Sequence, residues 1–282
     1  MAEIINNFKK IPEEYGTEVL NTGSIEVISY DTRTYDEEDK KIKKDLLVYL
    51  PEGYDHNDKN KKYNILYLMH GGGENEGTIF GPDVMLQNIL DHLIKDGVME
   101  PMIVVTPTFN RCTAGTFWLE WAESVIPFVE GKYSTYAKST SIEDIIASRR
   151  HRAFGGFSMG GICTWSTFQH ALELAAYYMP ISGDNWEAST PDGKAQGLVN
   201  AINKSGLSKR DYFIMTASGQ LDFMYPANLG PQIDAMRYYE EFVFTSDLSV
   251  GNTWFVLSDY GTHDWSYVKD YVYDMLPYFF HE

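Results

Sequence analysis

Six short apolar runs, each ending in glycine or a polar loop, constrain this chain more than any other feature. They are YNILYLMHGGG (63 to 73), PMIVVTPTF (101 to 109), HRAFGGFSMGG (151 to 161), AAYYMPISGD (175 to 184), DYFIMTASGQLD (211 to 222) and NTWFVLSDYGTHD (252 to 264). A strand that is apolar at nearly every position, not at alternate ones, is covered on both faces, as in a parallel sheet between helices. Stretches with helical spacing lie between the runs. MLQNILDHLIKDGV (85 to 98) carries a glycine stop, WLEWAESVIPFVEGKY (118 to 133) reads similarly, and DWSYVKDYVYDMLPYFF closes the chain as an amphipathic helix. The repeated strand–helix alternation predicts one mostly parallel, doubly wound α/β sheet. Ahead of it, SIEVISYDT (24 to 32) and KDLLVYLPEGY (44 to 54), separated by the charged DEEDKKIKK, predict an antiparallel hairpin on one edge. No linker or repeat interrupts the pattern, so the expectation is a single domain over 1–282, with residues 1–20 as an arm lying over it. The Ser-, Asn-, Gly- and Lys-rich segment 184–208 is expected to be an insertion near the functional site.

Charge narrows the partners. Forty acidic against 23 basic residues give a net charge of −17, which repels a phosphate backbone and anionic headgroups, so neither nucleic acid nor a membrane surface is an expected partner. The opening MAEIINNFKKIPEEYG is too polar for a signal-peptide core, and no apolar run is long enough to span a bilayer. Two cysteines, Cys112 and Cys163, are too few for a disulfide scaffold. Cys163 is expected to be a buried small hydrophobe. No His/Cys cluster has metal-ligand spacing and no glycine fingerprint marks a dinucleotide site, so neither metal nor cofactor is expected.

The sharpest chemical signal is Gly156-Phe157-Ser158-Met159-Gly160, set between the strand HRAFG and the helical ICTWSTFQHALEL. Gly-x-Ser-x-Gly alone is a common glycine-rich turn. Between a strand and a helix it has the form of a nucleophile elbow, in which small flanking residues allow the tight approach that lifts the serine out. His70-Gly71-Gly72-Gly73 ends an earlier strand; its backbone amides, with that of the residue after the serine, can stabilise an oxyanion. Gly72 and Met159 are assigned to that hole, and His70 to bracing the turn.

A serine nucleophile needs a base and an acid, in the order Ser, acid, His along this kind of sheet. After Ser158 the histidines are His170, inside the following helix, His281, next to the end, and His263, just past the last strand. His263 is the candidate base. Asp222, after DYFIMTASG, is the candidate acid, with Asp184 the alternative and Asp259 read as structural. Most of the 20 Tyr, 15 Phe and 6 Trp belong to the core. Trp186 and Trp265, on loops at the reacting end of the sheet, could stack on a sugar or phenolic ring, or simply pack their loops. Asp184 beside Trp186 is a candidate substrate contact.

Through HGGGENEGTIF (70 to 80), IPFVEGKYSTYA (126 to 137), HRAFGGFSMGG (151 to 161), MPISGDNW (179 to 186), INKSGLSKRDYF (202 to 213) and LPYFFHE (276 to 282), the chain resembles the feruloyl esterases of carbohydrate esterase family one. The likeness is strongest to esterase domains attached to xylanases of cellulose-degrading anaerobic bacteria. The resemblance implies an α/β-hydrolase fold and release of ferulic or p-coumaric acid from arabinose side chains of xylan, with Ser158 as nucleophile, His263 as base and Asp222 as acid. It also implies an extracellular setting, beside or attached to a xylanase. Acetylxylan esterases share the triad and are the alternative, and a non-catalytic carbohydrate-binding scaffold is the alternative of another class.

Overall fold

The computed structural model describes residues 9–280. Eight strands form one sheet in the order β1-β2-β4-β3-β5-β6-β7-β8. They are β1 (Ser24–Arg33), β2 (Lys41–Leu50), β3 (Asn64–Met69), β4 (Met102–Thr106), β5 (Arg152–Phe157), β6 (Tyr177–Ile181), β7 (Phe213–Gly219) and β8 (Thr253–Ser258). β1 pairs antiparallel with β2, and β2 antiparallel with β4; every other pairing is parallel. The edge hairpin starts its second strand earlier than the charge pattern predicts. Its lysines alternate faces: Lys43 reaches Asp31 across the pair at 3.2 Å, while Lys44 turns inward to Glu120.

The helices are α1 (Leu86–Lys95), α2 (Phe117–Glu120), α3 (Ile126–Lys132), α4 (Ile142–Ala147), α5 (Met159–Ala171), α6 (Pro191–Ser205), α7 (Gly230–Met236) and α8 (Trp265–Met275). α2 and α3 are the two halves of the helix expected over 118–133, joined by a wider π-type turn at Trp121–Val125. From β3 to β8 the sheet is apolar on both faces because both are covered. Trp121, Val129, Trp165, Phe168 and Leu198 pack on one side, and Ile89, Leu93, Val268, Val272 and Met275, from α1 and α8, on the other. The segment 184–208 is not an insertion: after a short loop it forms α6, capped by Thr190, whose hydroxyl accepts the Gly193 N–H, and stopped by Gly206 in the left-handed region. Its Ala195, Leu198, Val199 and Ile202 are core residues, so its polar residues mark one face of a helix and not a loop.

Of the expected arm, residues 1–8 lie outside the described part, as do His281 and Glu282. Residues 9–20 run over α1 and α8. Tyr15 stacks on His92 at 4.4 Å and its hydroxyl donates to Asp96 at 2.7 Å. Beneath this arm, burial pushes the Asp274 carboxyl on α8 up to about 6, against the opposing pull of Lys9. A raised carboxyl pKa means that folding takes up a proton between about pH 4 and 6, so stability falls as pH rises through that window and the whole cost is present above it. Asp274→Asn is therefore expected to raise Tm by a few degrees at pH 8 and to leave it nearly unchanged at pH 4. Thermal unfolding at the two pH values checks this; equal shifts at both would assign the change to packing.

The parallel strands end level with one another. Met69 pairs with Gly156, Phe157 with Ile181, Ile181 with Ala217, and Gly219 with Ser258. The chain leaves β3 toward β4 on one side and returns to β5 on the other. The loops after β3 and β5 therefore diverge at a switch point, where open α/β sheets form their binding crevice.

Candidate active site

Ser158 sits between β5 and α5 at φ 56° and ψ −114°, a conformation an L-residue holds only where its surroundings enforce it. The enforcement is backbone against backbone. A Cβ on Gly156 would lie 2.6 Å from Gly160 O, and one on Gly160 would lie 2.4 Å from Met69 O. Both glycines are therefore required for the helix to start this close to β3 and β5. The turn is tied down by Ser158 N–H donating to Ile181 O and Ile162 N–H donating to Ser158 O.

His263 follows β8, and Asp222 follows β7. Ser158 Oγ and His263 Nε2 lie 2.8 Å apart, as do His263 Nδ1 and Asp222 Oδ1. With Nδ1–H donating to the carboxylate, Nε2 is left free to accept the serine proton, which is the arrangement a Ser–His–Asp relay needs. Asp222 also accepts the Met224 N–H at 2.8 Å. Burial pushes its carboxyl upward, but hydrogen bonding by His263, Ser182 and the Met224 N–H outweighs this and holds it below the usual carboxylate range. The imidazole packs against Phe157 and Phe223, both tilted to it, with ring centroids at 4.6 and 4.3 Å.

Met159 is the first residue of α5, where a backbone N–H has no partner within the helix. Gly72 is its neighbour: a Cβ there would stand 3.0 Å from Met159 Cγ. The Gly71–Gly72 peptide is fixed from behind. His70, fully buried, donates Nδ1–H to Gly71 O at 2.7 Å and accepts the Thr108 hydroxyl at Nε2, also 2.7 Å. In a trans peptide the N–H points opposite to the carbonyl, so holding Gly71 O sets the direction of the Gly72 N–H. Burial lowers the His70 pKa, which keeps the ring neutral as this donor–acceptor role requires. Thr108 is itself held, its carbonyl accepting from Lys44, which pairs with buried Glu120 at 2.7 Å.

Glu74 is a member of the site that the sequence reading missed. One carboxylate oxygen accepts the Gly71 N–H at 2.7 Å and the other the Trp265 indole N–H at 2.8 Å. It clamps the glycine loop to the start of α8, two residues beyond His263. Its place in HGGGEN, directly after the glycines, was the available signal.

Two expected substrate contacts are corrected. Trp265 is buried, edge-on to Phe157 at 5.0 Å, with its N–H committed to Glu74. It offers no open ring face and belongs to the clamp. Asp184 is fully buried too. It ion-pairs with Lys194 of α6 and accepts the Trp186 indole N–H at 3.0 Å, so neither oxygen is turned to a ligand. The carboxylate at His263 Nδ1 is that of Asp222, not Asp184. Trp186, by contrast, is exposed, and its loop is anchored by Asn185, whose N–H donates to Gln232 Oε1 at 2.7 Å. Cys163 is buried and its thiol is pushed well above its ordinary pKa by burial; the less buried Cys112 is pushed up to about 12. Among the described residues no helix is long and apolar enough to cross a membrane.

Endo-1,4-beta-xylanase Y of Acetivibrio thermocellus is 58% identical over 241 residues, covering 85% of this chain and 22% of the xylanase. An endo-1,4-beta-xylanase/feruloyl esterase of Xylanibacter ruminicola is 34% identical over 151 residues, 49% of this chain and 19% of that protein. The chain thus spans about a fifth of the length of these curated relatives. Among solved structures, a serine-to-alanine mutant of the feruloyl esterase module from Clostridium thermocellum, complexed with sinapinate, superposes with a TM-score of 0.92 at 52% identity, covering 99% of this chain and 96% of that one. A ferulic acid esterase of Anaeromyces mucronatus, 20% identical with a TM-score of 0.66 over 96% of each chain, shares the fold. The esterase family model matches residues 41–279. An α/β-hydrolase sheet, a strained serine with histidine and aspartate in hydrogen-bonded series, and this match agree: the chain belongs to the esterase family.

Proposed function

We propose that this esterase releases ferulic or p-coumaric acid from arabinose side chains of xylan, through an acyl-enzyme on Ser158. The observation that carries the reading is the unbroken series Ser158–His263–Asp222 in a chain 52% identical, over nearly its whole length, to a feruloyl esterase module. His263 Nε2 takes the proton as Ser158 Oγ attacks the ester carbonyl, and Asp222 stabilises the imidazolium that forms. The Gly72 and Met159 amides receive the charge that builds on the carbonyl oxygen. His263 then returns the proton to the departing alcohol, and water, activated by the same imidazole, cleaves the acyl-enzyme.

Trp186 supports an aromatic acyl substrate, being an exposed indole whose N–H is pinned by a buried, ion-paired carboxylate. A ring held rigid before binding loses little entropy when a planar ligand stacks on it. Trp186→Ala is expected to raise KM for methyl ferulate about tenfold while kcat changes less, as judged by steady-state kinetics. An equal loss on a small acetyl ester would show that the indole does not read the aromatic acid.

The relatives' names support action beside a xylanase, and an extracellular setting follows from a polysaccharide substrate. The experiment that tests the reading compares initial rates on methyl ferulate and a small acetyl ester, for wild type and Ser158→Ala. Preference for the ferulate with an inactive variant supports it. Preference for acetyl moves the substrate to acetylxylan, and cleavage of neither leaves a binding scaffold.

A further inference from the structure

Four large apolar side chains stand mostly exposed on the loops beyond β6, β7 and β8: Trp186 (58%), Leu221 (64%), Phe223 (67%) and Tyr260 (75%). Trp186 has a place in the reading above; the other three do not. Leu221 and Phe223 flank Asp222. Tyr260 immediately precedes Gly261, whose carbonyl accepts the Leu221 N–H at 3.1 Å. The two turns are pressed together so closely that a Cβ on Gly219 would fall 2.0 Å from Gly261 O. They are therefore one surface, and it lies against the base, with the Phe223 ring 4.3 Å from that of His263.

Proton transfer decides which half of an ester meets this surface. As the tetrahedral intermediate collapses, the bond from the acyl carbon to the leaving oxygen breaks, Ser158 Oγ keeps the acyl group, and the proton on His263 Nε2 passes to the leaving oxygen. That oxygen must come within hydrogen-bond reach of Nε2, while the carbonyl oxygen faces Gly72 and Met159. The alcohol half of the substrate then leaves the site past His263.

We propose that Leu221, Phe223 and Tyr260 form the subsite for the alcohol, and that its ligand is an uncharged sugar whose C–H face packs on the Phe223 and Tyr260 rings. This rests on the ester-hydrolase reading above. Charge argues for a neutral ligand. Residues 219–224 and 259–264 contain no lysine or arginine to pair an anion, and the whole chain carries −17. Two carboxylates on the second turn are already engaged, Asp259 with Gln220 Nε2 at 3.2 Å and Asp264 with the Ser266 N–H at 2.8 Å. Aromatic faces open to solvent suit a sugar, which is apolar on one face and hydroxylated at its rim.

The test uses two esters of the same acid: methyl ferulate, whose methanol is too small to cover the rings, and a feruloylated arabino-oligosaccharide. The readout is the ratio of kcat/KM for the sugar ester to that for methyl ferulate, in wild type, Tyr260→Ala and Phe223→Ala. The ratio is expected to fall about three- to tenfold in each variant. Tyr260→Ala keeps the test sound if loss of Phe223 disturbs His263, because the ratio cancels any damage common to both esters. A ratio unmoved in both variants overturns the subsite. The underlying reading is checked separately: if wild type leaves methyl ferulate intact, or Ser158→Ala still cleaves it, that reading fails and the subsite falls with it.

Discussion

Ser158→Ala should lower kcat on methyl ferulate by at least about 10⁴-fold while leaving Tm within a degree or two and the affinity for ferulate nearly unchanged. The size follows from what the hydroxyl alone supplies. Without Oγ no acyl-enzyme forms, and His263 has nothing to deprotonate except water in a site shaped for a serine. Residual turnover would come from the Gly72 and Met159 amides and from binding. Stability should hold because the strain of the elbow resides in the backbone: φ stays at 56° for alanine as for serine, and the glycine approaches that enforce it are untouched. Only the 2.8 Å contact to His263 is lost. Single-turnover kinetics with calorimetric binding of ferulate makes the measurement. A variant that retains a tenth of wild-type turnover would remove Ser158 from the chemistry, and one that loses binding and folding together would assign it a structural role.

The site's outline was legible in the chain because its chemistry depends on local order. A glycine on each side of a serine at a strand–helix junction has a steric cause that reads directly from sequence, and His263 was the one later histidine placed past a strand. Asp222 followed from strand order alone. What sequence order did not carry was how loops cover one another. Trp265 and Asp184 were assigned to the substrate because they stand on loops at the correct end of the sheet. One is buried by Glu74, 191 residues away in the chain, and the other by Lys194 from a helix that had been read as a polar insertion. The same reason hid Glu74, since a carboxylate after three glycines gains meaning only when two donors from opposite ends of the chain converge on it. The edge hairpin was misjudged more simply: alternating lysines on a half-covered strand look like a turn when their partners, Asp31 across the hairpin and Glu120 on α2, are not in view.

Asp222→Asn should cost nearly as much as removing the nucleophile, about 10³- to 10⁴-fold in kcat, although it changes one atom and little volume. The carboxylate accepts Nδ1–H and so leaves Nε2 bare for the serine proton. An asparagine can present its NH₂ to the ring instead. Nδ1 then becomes the acceptor, the ring proton sits on Nε2, and the serine faces a donor where it needs an acceptor. The Met224 N–H donates to the same oxygen as the ring, so an asparagine that turns its NH₂ to His263 gives up that bond as well, while one that keeps its oxygen there loses the charge that stabilises the imidazolium. KM should change little, because the side chain is buried and does not reach the substrate. The pH dependence separates this account from simple loss of charge. A carboxyl held below its usual range is ionised above about pH 4, and its stabilising contribution is lost only as pH falls through that lowered value. Wild-type activity lost on acidification from pH 8 toward 5 therefore cannot come from Asp222, and the wild-type and Asp222→Asn profiles should differ in height throughout that range. A variant that regains full activity at any pH between 5 and 8 would show that Asp222 sets a proton equilibrium there and not the tautomer of His263.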